Sequence, residues 1–237
     1  MVLQPYERIL VALDYDNADD AVALTRGLRG KVGGVKVGLE LVNAVGFDIF
    51  SRLHDAGATR IFYDAKFHDI PNTVAGAVKA AAKRGVWMVN VHAGGGSAML
   101  RAAVDAVQNA DHKPLLIGVT VLTSLDQTAL NHDLRIPGTV EEHVVHLAKL
   151  AQTAGLDGVV ASPLELSAIR AACGSDFVTV IPGVRPAGVG TDDQKRVATP
   201  KSAVDAGATY LVIGRAITGA TDPVAAADAI AAEIGGG

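Results

Sequence analysis

Short apolar runs alternate regularly with longer stretches of helical character along this sequence, and this alternation limits the possible folds more than any other feature. Eight such runs occur in 237 residues, and each ends in polar residues or glycine. The predicted strands are Ile9–Leu13, Gly34–Val37, Ile61–Asp64, Met88–Val91, Leu115–Val121, Gly158–Ala161, Val178–Ile181 and Tyr210–Ile213. The predicted helices are Asp19–Leu28, Leu41–Ala56, Thr73–Arg84, Ser97–Gln108, Val140–Ala154, Pro163–Ala172, Pro200–Ala206 and Pro223–Ile234.

Eight strand–helix units in about 230 residues agree with the count and length of a (β/α)8 barrel. We therefore expect an α/β fold, a (β/α)8 TIM barrel, with residues 1–237 forming a single catalytic domain. The composition suits such a core, because branched aliphatic residues dominate and aromatic residues make up only 4%. The alternative is a doubly wound open sheet, but no G-x-G-x-x-G motif follows the first run.

Charge, cysteine content and hydropathy exclude several classes of protein. The formal net charge of -4 provides no basic surface, so we expect no nucleic-acid partner. Cys173 is the only cysteine, which excludes an internal disulfide or a cysteine-based zinc site and fits a reducing compartment. No apolar run approaches the roughly 18 residues of a membrane span, and the N-terminus lacks a signal-peptide pattern. We expect a soluble, cytoplasmic protein with no membrane partner.

The segment that follows the third apolar run has an unusual density of charge. Asp64 and Lys66 are two residues apart, so on an extended strand their side chains point to the same face. Asp69 follows on the predicted loop, where its side chain is free to point elsewhere. The Pro-Asn-Thr sequence that comes next is typical of a helix start and predicts Asn72 or Thr73 as the N-cap. These charges indicate either a structural ion pair at a strand end or a functional site.

The strand ends on either side of this segment are also polar. In a (β/α)8 barrel the carboxyl ends of the strands meet at one mouth, where this fold holds its catalytic residues. The first run leads into Asp14 and the second contains Lys36, so two acids and two lysines converge there. Taken alone, Lys36 could equally extend from its strand to reach water. His68 and His92 lie nearby and are either hydrogen-bonded loop histidines or catalytic groups.

The last two strands provide features of a phosphate site. Gly214 and Arg215 follow the eighth run and precede a helical turn, at a position where this fold commonly binds phosphate. Glycine allows a phosphate to approach backbone N–H groups, and the guanidinium can hold it with two hydrogen bonds. The long glycine-rich loop Gly183–Thr199 has the length of a lid and provides Arg185 and Gln194 as further phosphate ligands. The alternative for Arg215 is an arginine packed on the barrel rim.

Together these residues resemble the orotidine 5′-phosphate decarboxylase family, and the resemblance covers nearly the whole chain. The central motif is Asp64-x-Lys66-x-x-Asp69-Ile70-Pro71-Asn72-Thr73. It is supported by Leu13-Asp14, Lys36, Val119–Ser124, Ile181–Arg185 and Gly214-Arg215.

The resemblance implies a (β/α)8 homodimer with active sites at the subunit interface. Lys36, Asp64, Lys66 and Asp69 would form a catalytic charged array, with Asp69 coming from the partner subunit. Asp14 and Lys36 would contact the ribose, Thr123 the pyrimidine, and Arg185, Gln194, Gly214 and Arg215 the phosphate. The rest of the motif segment is also expected at the substrate: Ala65, Phe67, His68, Ile70, Pro71, Asn72 and Thr73.

The implied reaction converts orotidine 5′-phosphate into uridine 5′-phosphate and CO2 in pyrimidine biosynthesis, with Lys66 as proton donor and with no cofactor or metal. One alternative is a Mg²⁺-dependent sugar-phosphate decarboxylase or aldolase on a related barrel. Such an enzyme would need a carboxylate ligand at position 36, which is a lysine here. The other alternative is a non-catalytic sensor of a phosphate-bearing ligand, which needs the phosphate site but not the charged array.

Overall fold

A computed structural model describes residues 3–186 and 198–236, and in it eight strands form one closed barrel. The strands are β1 Ile9–Ala12, β2 Gly34–Val37, β3 Ile61–Phe67, β4 Met88–His92, β5 Leu115–Val119, β6 Gly158–Val160, β7 Val178–Ile181 and β8 Tyr210–Ile213. Each strand pairs in parallel with the next, and β8 pairs in parallel with β1 to close the barrel. The predicted (β/α)8 fold is confirmed.

Helices surround the barrel and follow its strands. They are α1 Ala18–Gly27, α2 Leu39–Val45, α3 Ile49–Asp55, α4 Pro71–Ala82, α5 Gly96–Val107, α6 Val140–Ala154, α7 Leu166–Cys173, α8 Pro200–Asp205, α9 Arg215–Thr218 and α10 Pro223–Gly235. A 3-10 turn at Pro5–Arg8 precedes β1, and further 3-10 turns at Ala93–Gly95 and Pro163–Glu165 and a π turn at Ala129–Asp133 lie between the helices. In the part of the chain that the structure describes, no helix has both the length and the apolar content of a membrane span.

The core has two layers because successive strand residues point to opposite faces of the sheet. Inside the barrel, Leu10, Phe62, Met88 and Ile117 belong to one cluster of buried side chains. Ile9 and the other outward-pointing strand residues belong to a larger cluster beneath the helices. Burial of each such side chain contributes about 1.5–3 kcal/mol to stability, so the apolar runs hold the barrel together.

Two helix predictions were wrong in detail. The stretch predicted as one helix over Leu41–Ala56 is two helices, α2 and α3, because α2 ends at Gly46, which has φ +80°. Asn72 and Thr73 are not N-caps, because α4 begins at Pro71 and its N-cap is Ile70, which makes no side-chain capping bond. Proline is favourable at this first position, where its missing N–H costs no hydrogen bond within the helix.

An irregularity in β3 brings its charged residues to the mouth of the barrel. The strand continues past its predicted end at Asp64 as far as Phe67. Its pairing with β4 shifts: Tyr63 pairs with Val89 and the next paired residue, Phe67, with Val91. Three residues of β3 therefore lie opposite one residue of β4, and Lys66 takes a left-handed conformation with φ +49°.

Candidate active site

A cavity of about 310 Å³ lies at the mouth of the barrel, at the carboxyl ends of the strands. Eight of the predicted site residues line it: Asp14, Lys36, Asp64, Lys66, Thr123, Arg185, Gly214 and Arg215. Aliphatic side chains from several strands complete its wall, among them Val119, Val121, Val160 and Val212. The cavity thus combines an aliphatic surface with a few charged groups, as is typical of small-molecule sites.

The four charged residues of β1 to β3 form a chain of alternating sign. Lys36 Nζ lies 3.0 Å from Asp14 Oδ1 and 3.7 Å from Asp64 Oδ2, and Lys66 Nζ lies 2.7 Å from Asp64 Oδ1. A side chain at Gly38 would place its Cβ only 2.9 Å from Lys36 Nζ, so glycine leaves room for this ammonium. Alternating charges offset the cost of burying Lys36 and Asp64, whose side chains are only 10% and 14% exposed.

The surroundings of Asp64 keep its carboxylate ionised. Burial alone would raise the pKa of this carboxyl, but Lys36 and Lys66, together with hydrogen bonds from Lys66 and Asn90, outweigh burial and lower the pKa. Asp64 therefore carries a full negative charge at neutral pH. It holds the Lys66 ammonium at the wall of the cavity.

Asn90, on β4, contacts the charged array and was not among the predicted site residues. Its side chain is fully buried. Its Nδ2 donates a hydrogen bond of 2.7 Å to Asp64 Oδ1, and its Oδ1 accepts one of 2.7 Å from the backbone N–H of Lys66. The only signal in the sequence was a polar amide inside the apolar run Met88–Val91.

The two histidines next to this array lie outside the cavity wall. The rings of His68 and His92 stack with centroids 5.2 Å apart and planes 30° apart. Burial lowers the pKa of His92, and the charges of His68 and Lys66 lower it further against the opposing effect of Asp64. His92 is therefore neutral at neutral pH, while His68 is exposed on the loop after β3.

The rest of the motif segment does not line this cavity, contrary to the prediction. Ala65 is buried in the core, and the Phe67 ring packs edge-on against Tyr63 with centroids 5.7 Å apart. Asp69 is exposed and its Oδ1 accepts a 2.6 Å hydrogen bond from the Ile70 backbone N–H. The following residues, Ile70, Pro71, Asn72 and Thr73, are exposed as well.

The predicted phosphate ligands that the structure describes follow the last two strands, β7 and β8. Arg185 follows β7, and Arg215 follows Gly214 at the end of β8 and begins α9. Both arginines line the cavity, as does Thr123 from the loop after β5. Gln194 and most of the Gly183–Thr199 loop lie outside the described residues.

Comparison with known proteins gives a family for this chain. Residues 7–230 match the family described as "Orotidine 5'-phosphate decarboxylase / HUMPS family". The chain is 47% identical over 240 residues to the orotidine 5′-phosphate decarboxylase of Heliobacterium modesticaldum, covering 99% of this chain and 98% of the relative. It is 54% identical over 233 residues to that of Moorella thermoacetica, covering 96% and 92%.

Two solved structures of proteins named orotidine 5′-phosphate decarboxylase have the same fold as this chain. The crystal structure of orotidine 5′-phosphate decarboxylase from Lactobacillus acidophilus aligns with a TM-score of 0.84 at 40% identity, over 95% of this chain and 98% of that one. The enzyme from Pyrococcus horikoshii OT3 aligns with a TM-score of 0.77 at 28% identity, over 97% and 100%.

Proposed function

The chain belongs to the orotidine 5′-phosphate decarboxylase family, and from this premise we propose how its residues carry out the reaction. The protein is an orotidine 5′-phosphate decarboxylase, a carboxy-lyase of UMP biosynthesis. The single observation that carries the proposed mechanism is the Lys66 ammonium, held 2.7 Å from the ionised Asp64 carboxylate at the cavity wall.

The chemistry requires a cation beside one ring carbon. When the bond between C6 and the carboxylate breaks, its electron pair stays on C6 in the plane of the pyrimidine, where the ring π system cannot delocalise it. A positively charged group already in place lowers the energy of this carbanion as it develops. The Lys66 ammonium stabilises C6 in this way and then donates one of its protons to it. The products are uridine 5′-phosphate, CO2 and a neutral Lys66, which regains its proton from water.

Neighbouring charges prepare Lys66 for this role. Asp64 fixes the position of the ammonium by a direct hydrogen bond of 2.7 Å. Lys36 balances Asp64 from the other side and lies between Asp64 and Asp14. The array therefore needs little rearrangement when charge develops at C6, and this preorganisation is how electrostatic catalysis lowers a barrier.

The remaining cavity residues hold the parts of the substrate that do not react. Asp14 and Lys36 bind the ribose, Thr123 binds the pyrimidine, and Arg185 and Arg215 bind the phosphate together with Gln194. The support is their position, because Asp14, Lys36, Thr123, Arg185 and Arg215 all line the same cavity. Binding energy from the distant phosphate then helps to lower the barrier at C6.

We further propose that the enzyme works as a homodimer in the cytoplasm, with Asp69 completing the site of the partner subunit. Residues 68–73 are all exposed, and Ile70 leaves 66% of its surface accessible. An exposed apolar side chain beside a loop carboxylate suits an interface in which the same loop from each subunit meets the other. The net charge of -4 supports the absence of a nucleic-acid partner.

Decarboxylation by the isolated protein is expected to be independent of divalent metal. The Lys36 ammonium lies between Asp14 and Asp64 and would repel a Mg²⁺ ion at these carboxylates. Loss of the orotate absorbance should be followed with orotidine 5′-phosphate, first without and then with EDTA. Equal rates are expected in the two assays. A rate that EDTA abolishes and added Mg²⁺ restores would favour the metal-dependent alternative, and binding without turnover would favour the sensor.

Arg215→Ala is expected to lower kcat/KM for orotidine 5′-phosphate by about 100-fold, or roughly 2.8 kcal/mol, because the guanidinium that would hold the phosphate by charge-assisted hydrogen bonds is removed. Turnover of the phosphate-free nucleoside, orotidine, should hardly change. The matched control is Arg52→Ala, which removes an arginine that pairs with Asp19 on the outer surface. Equal losses for the two substrates would mean that Arg215 is a structural residue of the rim.

A further inference from the structure

We infer that Asn90 is a positioning residue of the decarboxylation: its side-chain amide joins the Asp64 carboxylate to the Lys66 backbone and fixes the direction of the Lys66 ammonium. This inference rests on the proposed role of Lys66 as proton donor. It adds a β4 residue to a site whose charged members come from β1, β2 and β3.

The first argument is the register of the strands. Asn90 lies between Val89 and Val91 of β4, which pair with Tyr63 and Phe67 of β3. It is therefore the single β4 residue opposite the three-residue irregularity that contains both Asp64 and Lys66. Regular ladder pairing is interrupted over this length, and the Lys66 N–H bonds to the side chain of Asn90 instead.

The second argument is the chemical match of the amide to its two partners. Asp64 Oδ1 can only accept a hydrogen bond and the Lys66 N–H can only donate one, so Nδ2 must face Asp64 and Oδ1 must face Lys66. The reversed amide would place two acceptors together and two donors together. Asn90 is fully buried and has no access to water that could replace either bond.

The third argument is that the contacts close a ring. Asp64 Oδ1 accepts hydrogen bonds from both Lys66 Nζ and Asn90 Nδ2, and Asn90 Oδ1 returns to the Lys66 backbone. The two ends of the Lys66 residue are thereby tied to one another through Asp64 and Asn90. The left-handed conformation of Lys66, with φ +49°, is unfavourable for a side-chain-bearing residue and requires such support.

The experiment compares two substitutions in the full chain. Asn90→Ala removes both hydrogen bonds of the amide. Its kcat should fall by about 100-fold, because a misplacement of a reacting group by about 1 Å lowers the rate by about that factor. Binding of uridine 5′-phosphate should be nearly unchanged. Asp64 would also lose one hydrogen-bond donor, so its pKa should rise and the acid limb of kcat should move to higher pH.

Asn90→Asp provides the opposite pH dependence. Aspartate keeps the acceptor for the Lys66 N–H, but it can donate to Asp64 only when it is protonated. Its activity should therefore be highest at low pH and should fall as the coupled carboxyl pair ionises. Lys36, Lys66 and His92 are the charged and titratable groups near Asp64 and position 90, and Asp14 acts on them through its contact with Lys36. Both variants retain all four groups.

The control is Thr179→Val, which removes a fully buried hydrogen-bonding side chain from β7, away from the cavity. It should lower thermal stability and leave kcat and the pH profile at the parental values. Parental kcat in Asn90→Ala, or the same pH profile in Asn90→Ala and Asn90→Asp, would overturn the inference. If Asn90→Ala does not fold, the pH profile of kcat in Asn90→Asp tests the inference by itself. Parental turnover in Lys66→Ala would instead overturn the proposed function.

Discussion

Lys66→Ala is expected to lower kcat by at least about 10⁴-fold, or roughly 5.4 kcal/mol, because the substitution removes a general acid together with the cation nearest the reacting carbon. The fold should persist, since the Lys66 side chain is 31% exposed and the barrel core lies below it. Turnover should be measured from the orotate absorbance, and folding from circular dichroism and the melting temperature. Turnover within tenfold of the parent, about 1.4 kcal/mol of barrier, would contradict the assignment.

Two further variants separate charge from proton donation. Lys66→Arg keeps a cation near the site, but a guanidinium does not release its proton at neutral pH. We expect this variant to be inactive as well, whereas an active Lys66→Arg would mean that charge alone is required. Lys31→Ala is the matched control, because Lys31 is an exposed lysine whose Nζ pairs with Asp228 at 2.9 Å, outside the cavity wall. It should keep parental turnover.

Mixing two nearly inactive proteins is expected to restore activity. If Asp69 completes the site of the partner subunit, a dimer of one Lys66→Ala chain and one Asp69→Ala chain has one site with both defects and one site with neither. With random pairing about half of the dimers are mixed, so about a quarter of all sites regain the parental residues. The homodimeric parents should be dissociated, mixed and reassociated, and the recovered kcat compared with that of the parental enzyme.

A second mixture controls for this result. Asp64 and Lys66 of one chain are in direct contact at 2.7 Å and belong to one site. A mixture of Asp64→Ala with Lys66→Ala should therefore leave each site of the mixed dimers with a single defect and should recover nothing. If mass spectrometry shows subunit exchange while the Asp69→Ala mixture stays inactive, Asp69 serves its own subunit.

The strands were predicted well because their signal is local. Each apolar run is read from consecutive residues, and β2, β7 and β8 have the predicted bounds. The extension of β3 past Asp64 was not predicted, because it depends on a hydrogen bond from Asn90, which is 26 residues further along the chain. No periodicity within β3 itself indicates that bond.

The break after α2 was missed for a simpler reason: Gly46 alone interrupts an otherwise helical pattern.

The charged residues of the cavity wall were predictable from the sequence, but their contacts with one another were not. Charges at strand ends identify Asp14, Lys36, Asp64 and Lys66, because the barrel topology brings such ends together. The sequence contains no signal for which carboxylate oxygen meets which ammonium, or for a neutral amide between them. These contacts depend on the relative register of β3 and β4, which pairing and packing decide together.

Both halves of the barrel contribute residues to the cavity wall. The charged array and its amide come from β1 to β4, while Thr123, Arg185 and Arg215 come from loops that follow β5, β7 and β8. In the proposed mechanism the proton donor and its charged neighbours therefore come from the first half of the chain, and the phosphate ligands come from the second half. Substitutions in the loops of the second half can alter which ligand group the protein binds there, while the proton donor and its neighbours stay intact. A barrel with this division of labour can evolve toward a new ligand without first losing the groups that do the chemistry.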